Sequence, residues 1–138
     1  MRELADTSAW WASRRNPAIR RDFDARTVYG EIASCDMVRF ELLHSTRSAV
    51  EFGRRRAKLA ALPDCPVDGP TWHRALDVYE HLAGQGGMHH RRVRPADLLI
   101  AAAAEAAGVP VLHYDSDYDT IAAITGQPTR WIAPRGSL

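Results

Sequence analysis

Residues 97–115 read Asp97-Leu98-Leu99-Ile100-Ala101-Ala102-Ala103-Ala104-Glu105-Ala106-Ala107-Gly108-Val109-Pro110-Val111-Leu112-His113-Tyr114-Asp115. From Asp97 to Ala107 nearly every residue is a strong helix former, and the run predicts a helix. Gly108 supplies the left-handed residue that ends one. Val109 to Tyr114 is apolar and bounded by turn signals, which predicts a strand. A helix delivered directly into a short apolar strand is half of a parallel crossover unit, so the fold class read here is α/β.

The same alternation extends outward. Downstream, Asp117 to Ile124 predicts a short helix and Thr129 to Ile132 a short strand. Upstream, Pro95 suits the first turn of the alanine-rich helix, and Thr71 to Leu82 predicts a helix with Trp72, Leu76 and Tyr79 as its apolar stripe. Ala49 to Leu62 predicts a helix ended by Pro63, and Cys65-Pro66-Val67 a brief extended piece. Asp36 is the expected N-cap of a helix over Met37 to His44. Ile32 to Cys35 predicts a short strand, Ile19 to Tyr29 a helix closed by Gly30, and Ala9 to Ala12 a helical turn. The first strand, Arg2 to Ala5, is short and charged, which predicts a weak sheet edge. Strands separated by helices pair in parallel, with helices on both faces. The expected architecture is therefore a three-layer α/β/α sandwich around a short-stranded parallel sheet.

Composition narrows the class. The chain has 138 residues, 46% apolar and 25% charged, which fits one globular domain over residues 1–138 and not a disordered tail. No apolar run is long enough to span a membrane, and no basic-then-apolar leader opens the chain. Cys35 and Cys65 form no C-x-x-C pair and no disulfide framework, so a reducing cytoplasm is the expected compartment. The 18 basic residues balance 17 acidic ones, which excludes a uniformly polycationic nucleic-acid binder. Lys58 is the only lysine; arginine is the better phosphate fork.

In a parallel sheet the functional crevice lies outside the carboxyl ends of the strands. Asp6 follows the first strand and Asp115 the strongest one, so both belong to that edge. Asp97 stands in a first helical turn, and Glu41 lies between Phe40 and Leu42-Leu43, where a carboxylate needs a partner. Each acid alone has a plain structural reading: helix start for Asp97, turn for Asp115, N-cap cluster for Asp6-Thr7-Ser8. Together they repel, and a hard divalent cation resolves the repulsion; oxygen-only donors favour Mg²⁺ or Mn²⁺.

Four ordered motifs carry a family resemblance. Asp6-Thr7-Ser8-Ala9-Trp10, Phe40-Glu41-Leu42-Leu43, Ala96-Asp97-Leu98-Leu99-Ile100-Ala101-Ala102-Ala103 and Leu112-His113-Tyr114-Asp115-Ser116-Asp117-Tyr118-Asp119 resemble the motifs of PIN-domain nucleases. The tail, Ile121-Ala122-Ala123-Ile124-Thr125-Gly126-Gln127 with Trp131-Ile132, resembles the actinobacterial VapC toxin branch. The resemblance implies a Mg²⁺- or Mn²⁺-dependent endoribonuclease toxin of a type II toxin–antitoxin system, a cognate VapB-type antitoxin, an RNA substrate and a homodimer. It places Asp6, Glu41, Asp97 and Asp115 at the four acidic positions, Asp117 as a further acid and Ser8 as the small hydroxyl partner. On that reading Asp6, Asp97 and Asp115 hold the metal, Asp117 assists, and Glu41 positions or deprotonates the attacking water.

Arg91, Arg92 and Arg94 form the basic cluster nearest these acids in sequence, and Arg14 and Arg15, with Arg20 and Arg21, form another; both are candidate phosphate contacts. The expected charge layout is a carboxylate cluster ringed by arginines. Trp10 and Trp11 are candidates for stacking on bases, and more so for core packing or for lining an antitoxin groove. The alternatives from other classes are a catalytically silent PIN-like binding module and an acid-site phosphoryl-transfer enzyme. The latter fits poorly, since Ser8 replaces the second acid of an Asp-x-Asp motif and no lysine lies near the last strand.

Overall fold

The computed structural model describes residues 1–138. Four short strands, β1 (Glu3–Ala5), β2 (Ile32–Ala33), β3 (Val111–His113) and β4 (Thr129–Trp131), form one parallel sheet in the order β2-β1-β3-β4. Seven helices connect and cover them: α1 (Thr7–Ser13), α2 (Pro17–Val28), α3 (Asp36–His44), α4 (Ala49–Ala60), α5 (Gly69–Gly84), α6 (Pro95–Ala107) and α7 (Asp117–Thr125). None of them is long and apolar enough to cross a membrane.

The two-residue side-chain period of a strand sorts the core into two layers. Leu4, Ala33 and Val111 pack with side chains of α3 to α7 in the larger core. Their neighbours Ala5, Ile32 and Leu112 turn to the opposite face and meet Ala9 of α1 and Phe23 of α2. Leu4, Ile32, Val111 and Leu112 are fully buried, and each such side chain contributes roughly 1.5–3 kcal/mol.

β1 is not a weak edge. It lies in the sheet interior between β2 and β3, and its charge is compensated. Glu3 is 2% exposed. Arg130 donates to it from Nε at 2.9 Å and Nη2 at 2.7 Å, and Arg26 Nη2 lies 2.8 Å from the same carboxylate. A bidentate arginine fork is the geometry that makes such a buried acid tolerable. The carboxyl is thereby held below its usual range: burial pushes it up, but Arg130 and then Arg26 outweigh that.

Three further expectations change. α3 begins at Asp36 itself; Cys35 is its N-cap without a side-chain bond, and Asp36 pairs with Arg39 at 3.1 Å. Residues 65–67 form no strand, although the Cys65 amide donates to the Ser34 carbonyl at 2.8 Å. On α5 the buried stripe is Thr71, Ala75, Val78 and Leu82, while Trp72 and Leu76 are exposed. α5 packs closely on α6, whose residues 97–104 are all buried and half of them alanine, and the side chains α5 buries are mostly small as well.

Glu3→Gln is expected to destabilise the protein by about 1.5–3 kcal/mol, the range for hydrogen bonds to charged groups. A lowered folded pKa contributes stability above the unfolded value of about 4.3 and loses it as pH falls through the folded one. Thermal melts between neutral and acid pH should therefore show a shallower acid limb in the variant than in the wild type.

Candidate functional site

The parallel pairing of β1 with β3 sends both chains out at one edge of the sheet. Asp6 leaves β1 and caps α1: its Oδ2 accepts the Ser8 amide at 2.9 Å and the Ser8 hydroxyl at 2.6 Å. The Ser8 hydroxyl oxygen also accepts the Tyr114 amide at 2.9 Å, tying the two exits together. Asp115, two residues past β3, accepts the Asp117 amide at 2.9 Å and donates its own amide to His113 Nδ1 at 3.2 Å. Asp97 enters from the first turn of α6, fully buried, where the helix dipole favours an acid.

Carboxylate oxygens of Asp97, Asp115 and Asp117 lie within 4.8 Å of one another. Asp6 joins them through a side chain that sequence reasoning missed. The Tyr118 hydroxyl donates to Asp6 Oδ1 at 2.6 Å and lies 3.4 Å from Asp97 Oδ1. The available signal was the pairing of Tyr118 with Ile121 on the buried side of α7, because a buried phenol needs a partner. The same ring packs on buried His113, centroids 5.0 Å apart.

Glu41 stands on α3 across a cleft lined by Thr7, Ser8, Trp11, Met37, Phe40 and Arg94. Its apolar bracket is one-sided: Leu42 and Leu43 are buried, but Phe40 is exposed. The partner that the sequence demanded is double, since Thr7 Oγ1 donates to Oε1 at 2.8 Å and Arg94 Nη2 to Oε2 at 2.5 Å. Arg94 is also anchored through its backbone, its amide donating to Asp117 Oδ2 at 3.1 Å.

The other arginines divide. Arg91 and Arg92 are exposed on the turn that precedes α6, as a phosphate-facing role requires. Arg15 is exposed, but Arg14 spends its guanidinium on Asp24 at 2.5 Å and on the Ser13 hydroxyl at 3.0 Å. Arg26, Arg39, Arg55, Arg74 and Arg130, none of them a candidate phosphate contact, are committed to acids. Trp10 packs edge-on against Phe23, centroids 4.9 Å apart, whereas Trp11 is exposed with Arg55 over its ring.

The electrostatics of the cluster centre on Asp97. Burial, then hydrogen bonding with the Asp117 carboxyl, then the charges of Asp6 and Asp115, push its carboxyl up to about 9, with Arg94 opposing. Its Oδ2 is buried without a hydrogen-bond partner. An orphaned carboxylate oxygen beside two further carboxylates, with no nitrogen or sulfur donor among them, fits a hard divalent cation.

An all-parallel sheet of this order, with acids from β1, β3 and two helix starts gathered at its carboxyl edge, is the arrangement of the PIN-domain nucleases, and the chain belongs to the PIN-domain family, whose profile it matches over residues 4–124. Among curated relatives, it is 48% identical to Ribonuclease VapC18 of Mycobacterium tuberculosis over 96% of both chains. It is 37% identical to Ribonuclease VapC51 of the same organism, over 100% of this chain and 98% of that one. Its fold is similar to that of a DNA-bound VapBC complex from Salmonella typhimurium, with a TM-score of 0.72 at 18% identity, covering 96% of this chain and 100% of that one.

A carboxyl whose folded pKa is raised binds its proton more tightly in the native state, so stability is full below the unfolded value of about 3.9 and declines as pH rises toward the folded value. With chelator present, the melting temperature should fall between pH 5 and pH 9. Asp97→Asn, which carries no titrating proton, should flatten that decline.

Proposed function

We propose that the protein is a metal-dependent endoribonuclease toxin restrained by a VapB-type antitoxin. The observation that carries this reading is the convergence of carboxylate oxygens of Asp97, Asp115 and Asp117 within 4.8 Å, together with the buried Asp97 Oδ2 that has no hydrogen-bond partner. The similarity to the ribonucleases VapC18 and VapC51 supports the chemistry, and the similarity in fold to a VapBC complex supports the partner.

Asp97, Asp115 and Asp117 would hold Mg²⁺ or Mn²⁺, with Asp6 completing the acidic wall. Such a cation supplies Lewis-acid activation of water and offsets charge building on the scissile phosphate. The chain's own groups do the rest. Glu41 orients the attacking water and accepts its proton at Oε2. That atom is now occupied by Arg94, so proton acceptance requires the guanidinium to turn away. An incoming phosphate provides its destination. Arg94 then grips the substrate as its departure frees the base, and Arg91 and Arg92 extend the same positive track.

A groove of about 830 Å³ between α3 and α4, lined by Phe40, Leu43, Phe52, Leu59 and Leu62, shares Phe40 and His44 with the acidic cleft. An amphipathic antitoxin segment seated there runs directly to the acids. A cytoplasmic homodimer belongs to the same reading, and light scattering on the purified chain measures that assembly.

Glu41→Gln should reduce kcat for RNA cleavage by about 10²–10⁴-fold, the usual contribution of a general base, with little change in RNA affinity. Arg94→Ala should weaken RNA binding and reduce the slope of log affinity against log salt by about 1. Chelator should abolish cleavage, and expression of the chain alone should arrest growth unless the antitoxin is coexpressed. RNA cleavage that survives both chelator and Asp97→Asn would refute the assignment.

A further inference from the structure

The Tyr118 phenol is wholly enclosed, at 0% exposure, between the acids and His113. A phenol carries a single proton, and the distances decide where it goes: the hydroxyl donates to Asp6 Oδ1 at 2.6 Å, while Asp97 Oδ1 lies farther away at 3.4 Å. Asp6 Oδ2 already accepts the Ser8 amide and hydroxyl. Tyr118 therefore supplies the donor that fixes the second oxygen of Asp6, and with it the rotation of the whole carboxylate. That hydroxyl is within reach of both carboxylates, two groups that repel each other when ionised.

We infer that Tyr118 is a positioning residue of the cation site, its hydroxyl locking Asp6 and setting the spacing between Asp6 and Asp97 so that the carboxylates are arranged before any cation arrives. The hydroxyl itself does not touch the cation or the substrate; it acts through Asp6. Partners that orient metal-binding carboxylates typically change affinity 10–100-fold when removed.

The inference rests on the cation site proposed above. The test is a titration of the purified full-length chain with Mn²⁺, reading free ion by electron paramagnetic resonance, for wild type, Tyr118→Phe, Asp6→Asn and the double variant. Tyr118→Phe keeps the ring and removes one oxygen. It should weaken Mn²⁺ binding by about 10–100-fold in the wild-type background and have little further effect beside Asp6→Asn, because its route runs through Asp6. Metal-free RNA affinity should stay near wild type, and the metal-free melting temperature should fall by the few degrees expected for the loss of one buried hydrogen bond. Affinity of Tyr118→Phe within twofold of wild type overturns the role of Tyr118 and leaves the cation site standing. An equal loss in both backgrounds also overturns it, since a general packing defect does not depend on Asp6. A wild-type chain that binds no Mn²⁺ overturns the cation site and this inference together. Should Tyr118→Phe fail to fold, 3-fluorotyrosine at position 118 alters donor strength with the packing kept, and an unchanged Mn²⁺ affinity then overturns the proposal.

Discussion

Mutual repulsion among acids in a partly dry volume is the constraint on which the rest of this structure depends. Asp6, Asp97, Asp115 and Asp117 cannot all be ionised side by side without compensation. The fold supplies it in pieces: backbone amides and the Ser8 hydroxyl for Asp6 and Asp115, the Tyr118 phenol between Asp6 and Asp97, and the Arg94 amide for Asp117. Every donor comes from an element that ends or begins at the carboxyl edge of the sheet. What is left over is one buried oxygen on Asp97 and a proton held far above its ordinary range. That unsatisfied oxygen is the chemical capacity of the site.

The parallel order of the sheet follows from the same demand. Only adjacent parallel strands deliver two chain exits to one edge, and β1 beside β3 delivers Asp6 and Asp115. At the opposite end of β1, Glu3 is held by Arg26 and Arg130, so the central strand is clamped by charge below and spends charge above. Of the arginines read as phosphate contacts, Arg14 and Arg94 are paired with acids, while Arg91 and Arg92 stand exposed just ahead of α6.

Much of this was legible in the residues. The run Asp97 to Asp115 specifies its helix, its stop and its strand with little ambiguity, because propensity, capping and pattern agree. The four acids were found because strand-end placement is a local property. The partners were not, because they are properties of packing. Nothing near Glu41 announces Arg94, fifty-three residues away, and nothing near Asp6 announces Tyr118. Trp72 and Leu76 misled for the same reason: their spacing is right for a buried stripe, but α5 buries the adjacent one where it packs on α6. The polar opening of β1 misled because Glu3 looks solvent-bound until two distant arginines are placed on it.

The alanine run of α6 has a consequence for how this chain tolerates change. Asp97 is carried by a helix whose side chains at 101–104 are buried in the core. A larger side chain there must displace its neighbours or the helix itself, and the acid four to seven residues away is exposed to that shift. The geometry of the site is thus encoded as much in the smallness of four side chains as in the identity of the acids.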